Sequence, residues 1–357
     1  MILLVVVLAV GPVLLGLFNL TLFRTPQPAP GTPSISVLIP ARNEAINIAD
    51  ACAAILASTG VVVDLVVLDD GSTDATPAIL AGITDPRLRV ASGGVLPPGW
   101  SGKQHACMAL AGLARHELMV WVDADVRLAP DALSRMAGFM AAQDVGLASG
   151  FPRQITITWA EQLLLPLIHF LLLGFLPIAL MRQRLDVGLG AGCGQLFIAR
   201  RAAYDRAGGH AAIRASLHDG LTLPRAFRRA GQMTGLFDAS RLAKCRMYAN
   251  APEVWEGLCK NATEGMATGR ALPLWTVILA GGQVVPWLLL PNLWAVMAVV
   301  ATVGFRLVLA WRFQQPWISA VLHPVGVLGV LAVQWVSLWR AWRGRPSVWR
   351  GRAYPAP

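Results

Sequence analysis

The pair of acids in VDADV at residues 122–126 has the sharpest chemistry in the chain. Asp123 and Asp125 stand two residues apart, hemmed by apolar neighbours on both sides. Hard divalent cations demand oxygen ligands, so such a pair can hold Mg2+ or Mn2+ and with it a nucleotide diphosphate. The bland reading is a surface turn carrying two acids. DDGSTD at 69–74 offers Asp69 and Asp70 as acceptors for a base N–H or a ribose hydroxyl, Gly71 as a tight-turn residue, and Ser72 or Thr73 as a cap for the next helix. Taken alone it is equally well a solvated turn. PARNEA at 40–45 supplies Pro40, Arg42, Asn43 and Glu44 where a loop runs into a helix. PPGWSGK at 97–103 is glycine-rich and ends on Lys103, one of 3 lysines against 27 arginines, whose ammonium can neutralise phosphate oxygens. His105, just beyond, reads as an ordinary hydrogen-bonded histidine. GLGAGCGQLFIARRAAYDRAGG at 188–209 reads as a glycine-rich loop, a short strand, and a helix with Tyr204 that closes at Gly208 and Gly209. Such a loop lets a backbone approach a ligand closely. LHDGLTL sets His218 and Asp219 at a helix start, where an acid is also a routine N-terminal charge. No GxGxxG or Walker A loop is present, so dinucleotide and P-loop readings have no support.

These residues need a scaffold, and residues 34–150 supply its pattern: short β-branched runs alternate with Ala-rich helical stretches. That alternation predicts an α/β domain with a mostly parallel sheet. Strands are expected at 35–39, 65–68, 88–91 and 118–122. Ligands of open parallel sheets bind at the carboxyl ends of the strands, where PARNEA, DDGSTD and VDADV lie.

Composition places the domain at a membrane. The chain is 55% hydrophobic and 14% charged, with mean hydropathy +0.55, which excludes disorder and disfavours a wholly water-soluble protein. All 20 acids fall between Glu44 and Glu264. Residues 265–357 hold eight Arg and no acid, supplying +8 of the +10 net charge. Arginines scattered among Trp and apolar runs fit anionic lipid headgroups better than nucleic acid. Residues 1–23 carry no charge and can cross a core of about 30 Å. A cleaved signal peptide would want a basic start and an A-x-A-like site, so an uncleaved anchor is expected. Arg24 follows this run, so the positive-inside tendency puts the next domain in the cytoplasm of a multi-pass cell-membrane protein. Uncharged runs at 271–305 and 313–339 are expected to give two crossings plus an interfacial stretch, with the five arginines between Arg340 and Arg352 cytoplasmic. A further apolar run at 162–181 is broken by Pro166 and Pro177. A single crossing there would separate the two halves of the acid set, so it reads as an interfacial or re-entrant helix pair, with a buried core helix as the alternative. The five cysteines are scattered, odd in number and without CxxC spacing, so they are expected to be reduced and buried.

The ordered set PARNEA, DDGSTD, PPGWSGK, VDADV, GCGQLFIARR and HDGLTL resembles a membrane-bound family 2 glycosyltransferase of the GT-A fold. PPGWSGK and the closing VWRGRAY at 348–354 resemble its carotenoid- and hopene-associated branch. The resemblance implies a GT-A-like nucleotide-sugar-binding domain at 34–265 with an apolar insert at 159–181. An N-terminal transmembrane anchor (1–24), a C-terminal transmembrane region (271–340) and a basic cytoplasmic tail (341–357) would flank it. It also implies inverting transfer from a nucleotide-diphosphate sugar to a lipid acceptor. Asp70, with Asp69 and Glu44, would hold the nucleoside, beside Pro40 and Arg42. Asp123 and Asp125 (the DXD motif) would hold Mg2+ or Mn2+, and Lys103 and Arg246 would meet the diphosphate. Asp219 would be the catalytic base. Two departures stand out: the base position reads His218-Asp219 where the family usually has Glu-Asp, and QxxRW is absent, which disfavours a processive enzyme. A polyprenyl-phosphate or glycolipid sugar transferase shares the chemistry. A non-catalytic transporter or scaffold would not bind nucleotide sugar with a divalent cation.

Overall fold

The structure, a computed structural model, describes residues 2–345, with the backbone alone of 347–349 and 352–354. The chain divides into two compact units. One comprises residues 23–153 and 180–246, the other residues 1–22, 154–179 and 247–357.

The first unit is an α/β domain around an eight-stranded sheet. Its strands are β1 (Ser34–Ala41), β2 (Val62–Asp69), β3 (Leu88–Ser92), β4 (Leu118–Val122), β5 (Val126–Leu128), β6 (Leu147–Gln154), β7 (Leu196–Arg200) and β8 (Thr234–Cys245), in the order β3-β2-β1-β4-β7-β6-β8-β5. β3, β2, β1 and β4 run parallel, joined through the helices Ile48–Leu56, Thr76–Ala81 and Gly102–Leu113. Helices cover both faces of such a sheet, so β1 and β2 read as apolar runs rather than alternating ones, broken inside only by Ser36 and Asp64, which bond each other at 2.9 Å, and their interiors are buried. The second half, beyond the expected four strands, is antiparallel where β4 meets β7, β7 meets β6 and β5 meets β8.

Direction of travel explains the assembly. The carboxyl ends of β1, β2 and β4 share one edge, and Val122 at the end of β4 pairs with Leu196 at the start of β7. The glycine-rich loop before β7 therefore arrives at that edge. Cys245, ending β8, pairs with Val126, the last residue of VDADV, and so arrives there too. Beneath them Trp121 stacks on Tyr204 with ring centroids 4.9 Å apart, and the Tyr204 hydroxyl meets His210 Nδ1 at 2.8 Å and accepts from His210 N at 3.0 Å. Burial lowers the His210 pKa to about 3, so this histidine is a neutral core residue.

The second unit is helical. Ile2–Leu22, Leu293–Arg312 and His323–Trp342 are long and apolar enough to cross a membrane, the only three among the described residues. Ala271–Gln283, at 13 residues, is about 20 Å long and too short to cross alone. The apolar insert is three short helices, Trp159–Leu164, Leu167–Phe175 and Ile178–Met181, interrupted near Pro166 and Pro177 as expected. The interruptions free backbone groups that apolar surroundings cannot satisfy. Buried Asn19 donates to the carbonyls of Leu173 and Leu176, both at 2.7 Å, and accepts from Ile178 N. Buried Arg306 donates to Pro166 O at 3.1 Å and Ser319 Oγ at 3.2 Å. The helix runs on past the uncharged stretch that ends at Phe305, through Arg306 to Arg312, and the Arg306 guanidinium is spent on the break at Pro166 rather than in water. Just before the basic tail, Arg340 pairs with Glu256 at 2.8 Å, whereas Arg350 and Gly351 of VWRGRAY lie outside the described residues.

Candidate active site

The first two loops are laced together by side chains. Arg42 Nη1 donates to Asp70 O at 2.6 Å, Asn43 N donates to Ser72 Oγ at 2.9 Å, and Thr73 N donates to Asn43 Oδ1 at 2.8 Å. Asn43 holds φ 55° to make these contacts, and Gly71 holds φ 68° at the expected tight turn. Ser72 and Thr73 were expected as helix caps. Instead they face the first loop, and Asp74 bridges that loop to the start of the helix, its Oδ1 accepting from Thr76 N at 2.9 Å and its Oδ2 from Ala45 N at 3.0 Å. Asp69 Oδ1 accepts from Ser72 N at 3.2 Å, while Asp70 and Glu44 are buried. Pro40 lies within β1, beside Leu68.

Lys103 stands in the first turn of Gly102–Leu113, where Ser101 caps the helix by accepting from Gln104 N. Its Nζ lies 2.8 Å from Asp123 Oδ1, 2.9 Å from Asp123 Oδ2, 3.0 Å from Asp219 Oδ2 and 3.0 Å from Gly194 O. Four segments distant in sequence thus meet at one ammonium. Burial opposes the charge on Lys103, but the carboxylates of Asp123 and Asp219 outweigh it and raise its pKa well above the ordinary value. Burial likewise opposes the charge on Asp219, and Lys103 reverses the sign, leaving its pKa lowered. The acid of the His218-Asp219 pair is therefore partnered by a lysine.

Asp125 is the opposite case. Burial, then the charges of Asp123 and Glu44, push its pKa up to about 7, and its Oδ1 is buried with no hydrogen-bond partner. An orphaned carboxylate oxygen beside a second carboxylate suits a hard cation. Among the described residues no group of three or more His, Cys, Asp or Glu side chains is arranged to hold a metal ion. Asp123 and Asp125 therefore fit a cation that takes its remaining ligands from phosphate and water, as Mg2+ commonly does.

A sequence model described as glycosyl transferase family 2 matches residues 36–208, which span β1 to β7 and all the loops above except the one bearing Asp219. Residues 36–208 thus match a family 2 glycosyltransferase domain. It is 38% identical over 104 residues to the succinoglycan biosynthesis protein ExoO of Rhizobium meliloti, covering 29% of each chain. It is 26% identical over 254 residues to the 4,4'-diaponeurosporenoate glycosyltransferase of Staphylococcus haemolyticus, covering 70% of this chain and 66% of that one. The chain thus spans under two thirds of the length of these relatives. In fold, it superposes with TM-score 0.57 on the mannosyltransferase PcManGT of Pyrobaculum calidifontis, solved with GDP-Man and Mn2+. The match has 18% identity and covers 95% of this chain and 97% of that one. The sheet is that of a GT-A glycosyltransferase.

Within the glycosyltransferase domain the glycines serve the acids. A Cβ on Gly194 would collide with Asp219 Oδ1, and one on Gly220 would stand 2.7 Å from Gly192 O. The glycine-rich loop was expected to admit a ligand; it admits Asp219 itself. Gln195 was not anticipated. Its Nε2 donates to Cys245 Sγ at 2.9 Å, and its backbone carbonyl accepts from Asp123 N at 3.1 Å, which ties β8 and VDADV to the same loop. The only available signal was its place after GAGCG. Cys193, expected to be buried, is half-exposed in this loop; the other four cysteines are buried, and all five are unbridged. His105 packs edge-on against Trp100 with centroids 5.6 Å apart, outside the group joined at Lys103. Arg246 is exposed, one residue beyond the Val126–Cys245 pair.

Proposed function

We propose that the chain is an inverting, metal-dependent glycosyltransferase that moves a sugar from a nucleotide-diphosphate sugar to a lipid acceptor at the cytoplasmic face of the cell membrane. The observation that carries this reading is the meeting of Asp123 and Asp219 on Lys103, with an unpaired oxygen of the Asp125 carboxylate nearby. Inverting transfer needs positive charge at the leaving diphosphate and one carboxylate on the opposite face of the sugar to take the acceptor's proton. Asp123 and Asp125 would hold Mg2+ or Mn2+. When bound, the cation neutralises the leaving diphosphate. Asp70, Asp69 and Glu44, with Pro40 and Arg42, would hold the nucleoside; Lys103 and Arg246 would meet phosphate oxygens. Asp219 would accept the hydroxyl proton as the new C1–O bond forms and the C1–O bond to phosphate breaks, its electron pair leaving with the diphosphate.

The lipid acceptor is supported by the three long apolar helices and by the relative named for a carotenoid acid. A carotenoid, hopanoid or polyprenyl chain leaves the bilayer at about 0.8 kcal/mol per methylene, so its enzyme gains by working at the membrane surface. The cytoplasmic placement rests on Arg24 following the first apolar helix. The test is to incubate membranes containing the protein with radiolabelled nucleotide sugars, with and without EDTA, and to identify labelled lipid. EDTA-sensitive labelling of a lipid is expected. Label that stays water-soluble, or labelling indifferent to EDTA, refutes the acceptor or the metal respectively.

A further inference from the structure

An ammonium has three protons to donate. Those of Lys103 face three residues, Asp123, Asp219 and Gly194, all within 3.0 Å. A lysine so engaged has nothing left for a phosphate oxygen, and both Asp123 oxygens lie within 2.9 Å of it. The arrangement is therefore one in which neither the diphosphate nor a cation can take its place without breaking contacts already made. The contacts that must break include the one on Asp219, the residue read above as the base.

We infer that Lys103 is a positioning residue that ties Asp219 to Asp123 while no donor is bound, and that arrival of the cation and diphosphate draws its ammonium onto phosphate and releases Asp219. The inference rests on the functional reading above and adds to it a coupling between donor binding and base release. Its physical basis is exchange of like for like. The ammonium stands where positive charge is needed between two carboxylates, and an incoming divalent cation supplies that charge at Asp123 more strongly. The diphosphate offers the displaced ammonium new acceptors. Proton, bond and electron-pair movements of the transfer step are those given above; only their timing changes, since Asp219 accepts a proton after Lys103 has left it. Without a donor, the tied carboxylate is kept from the acceptor and from water. Gly194 is the fixed point of the device, because its carbonyl receives Lys103 and its missing Cβ admits Asp219.

The test uses the full chain in detergent and Mn2+ alone as probe, with free Mn2+ followed by electron paramagnetic resonance. Two like charges 4 Å apart repel by several kcal/mol near a protein surface, before the second charge of Mn2+ is counted. Lys103→Gln is therefore expected to bind Mn2+ at least about tenfold more tightly than the native protein without nucleotide, while its kcat for transfer falls. Lys103→Arg, which keeps the charge and can span both carboxylates, should stay near native in Mn2+ binding. Lys103→Met repeats the measurement without a new polar group, and cooperative thermal unfolding identifies the variants that are folded. Unchanged or weaker Mn2+ binding in a folded Lys103→Gln or Lys103→Met protein overturns the inference, as does a tightening reproduced by Lys103→Arg. Failure of the native protein to bind any nucleotide sugar would instead sink the functional reading, and the Mn2+ titration would still judge the tie.

Discussion

Asp125→Asn should make the metal-free protein more stable, an unusual expectation for a residue assigned to a site. Asp125 has one carboxylate oxygen buried without a partner, and burial, then the charges of Asp123 and Glu44, raise its pKa from 3.8 to about 7. The folded protein therefore keeps a proton that the unfolded chain sheds. The group's contribution to stability is complete below about pH 4 and is lost as pH rises through about 7. At about 1.4 kcal/mol per pH unit the ceiling is roughly 4 kcal/mol at pH 8. Residual solvent and the nearby Lys103 ammonium screen the charge, leaving an expected gain of about 1–2 kcal/mol for the uncharged amide. For a domain of this size that is a rise in Tm of roughly 2–8 °C. The assay is thermal unfolding of native and Asp125→Asn protein from pH 4 to 8. The native protein should lose stability across that range, and the variant should lose less. Saturating Mn2+ with a nucleoside diphosphate should stabilise the native protein by about 2.7 kcal/mol at a hundredfold excess over Kd, and the variant by much less. A variant less stable than the native protein at pH 8, or one that responds equally to Mn2+, would refute the argument.

Three further outcomes are expected. Asp219→Asn should lower transfer to an alcohol acceptor by about 10²–10⁴-fold with little change in donor binding by calorimetry; retention of most activity would point to a phosphate acceptor, which needs less help from a base. Gly194→Ala forces a Cβ against Asp219 Oδ1 and should abolish most transfer while the protein still unfolds cooperatively; near-native kcat would show that the loop yields easily. Tyr204→Phe removes the hydroxyl that His210 uses at both Nδ1 and backbone N, leaving a buried N–H unpaired. It should cost about 1–3 kcal/mol in urea unfolding without changing the donor KM. An unchanged midpoint would mean that those groups find other partners.

The parallel half of the sheet was legible because strands buried on both faces must be runs of β-branched and apolar residues, and 118–122 came out to the residue. The turn at Gly71, the helix beginning at Asp219 and the breaks at Pro166 and Pro177 were legible for the same local reason: backbone torsions and missing donors are properties of single residues. The partners of Ser72, Thr73 and Asp74 were not, since the three have nearly equal capping chemistry and the neighbouring loop engages all of them, Asp74 holding Ala45 N as well as Thr76 N. The role of Arg306 was not legible either, because charge normally means water and its partners, Pro166 and Ser319, include one far away in the chain.

The sequence by itself determined which acids exist, which lie at strand ends, and that they occur in the order of a family 2 glycosyltransferase. Only tertiary structure decided that Asp123 and Asp219 share one lysine, that one Asp125 oxygen is left without a hydrogen bond, and that Gly194 is small for the sake of Asp219. The reason is one of range. Propensity and periodicity act over a few residues, whereas β7 and β8 bring their loops to the edge of β4 and β5 by antiparallel pairing across many tens of residues. The charge state of each carboxylate follows from which neighbour that pairing supplies.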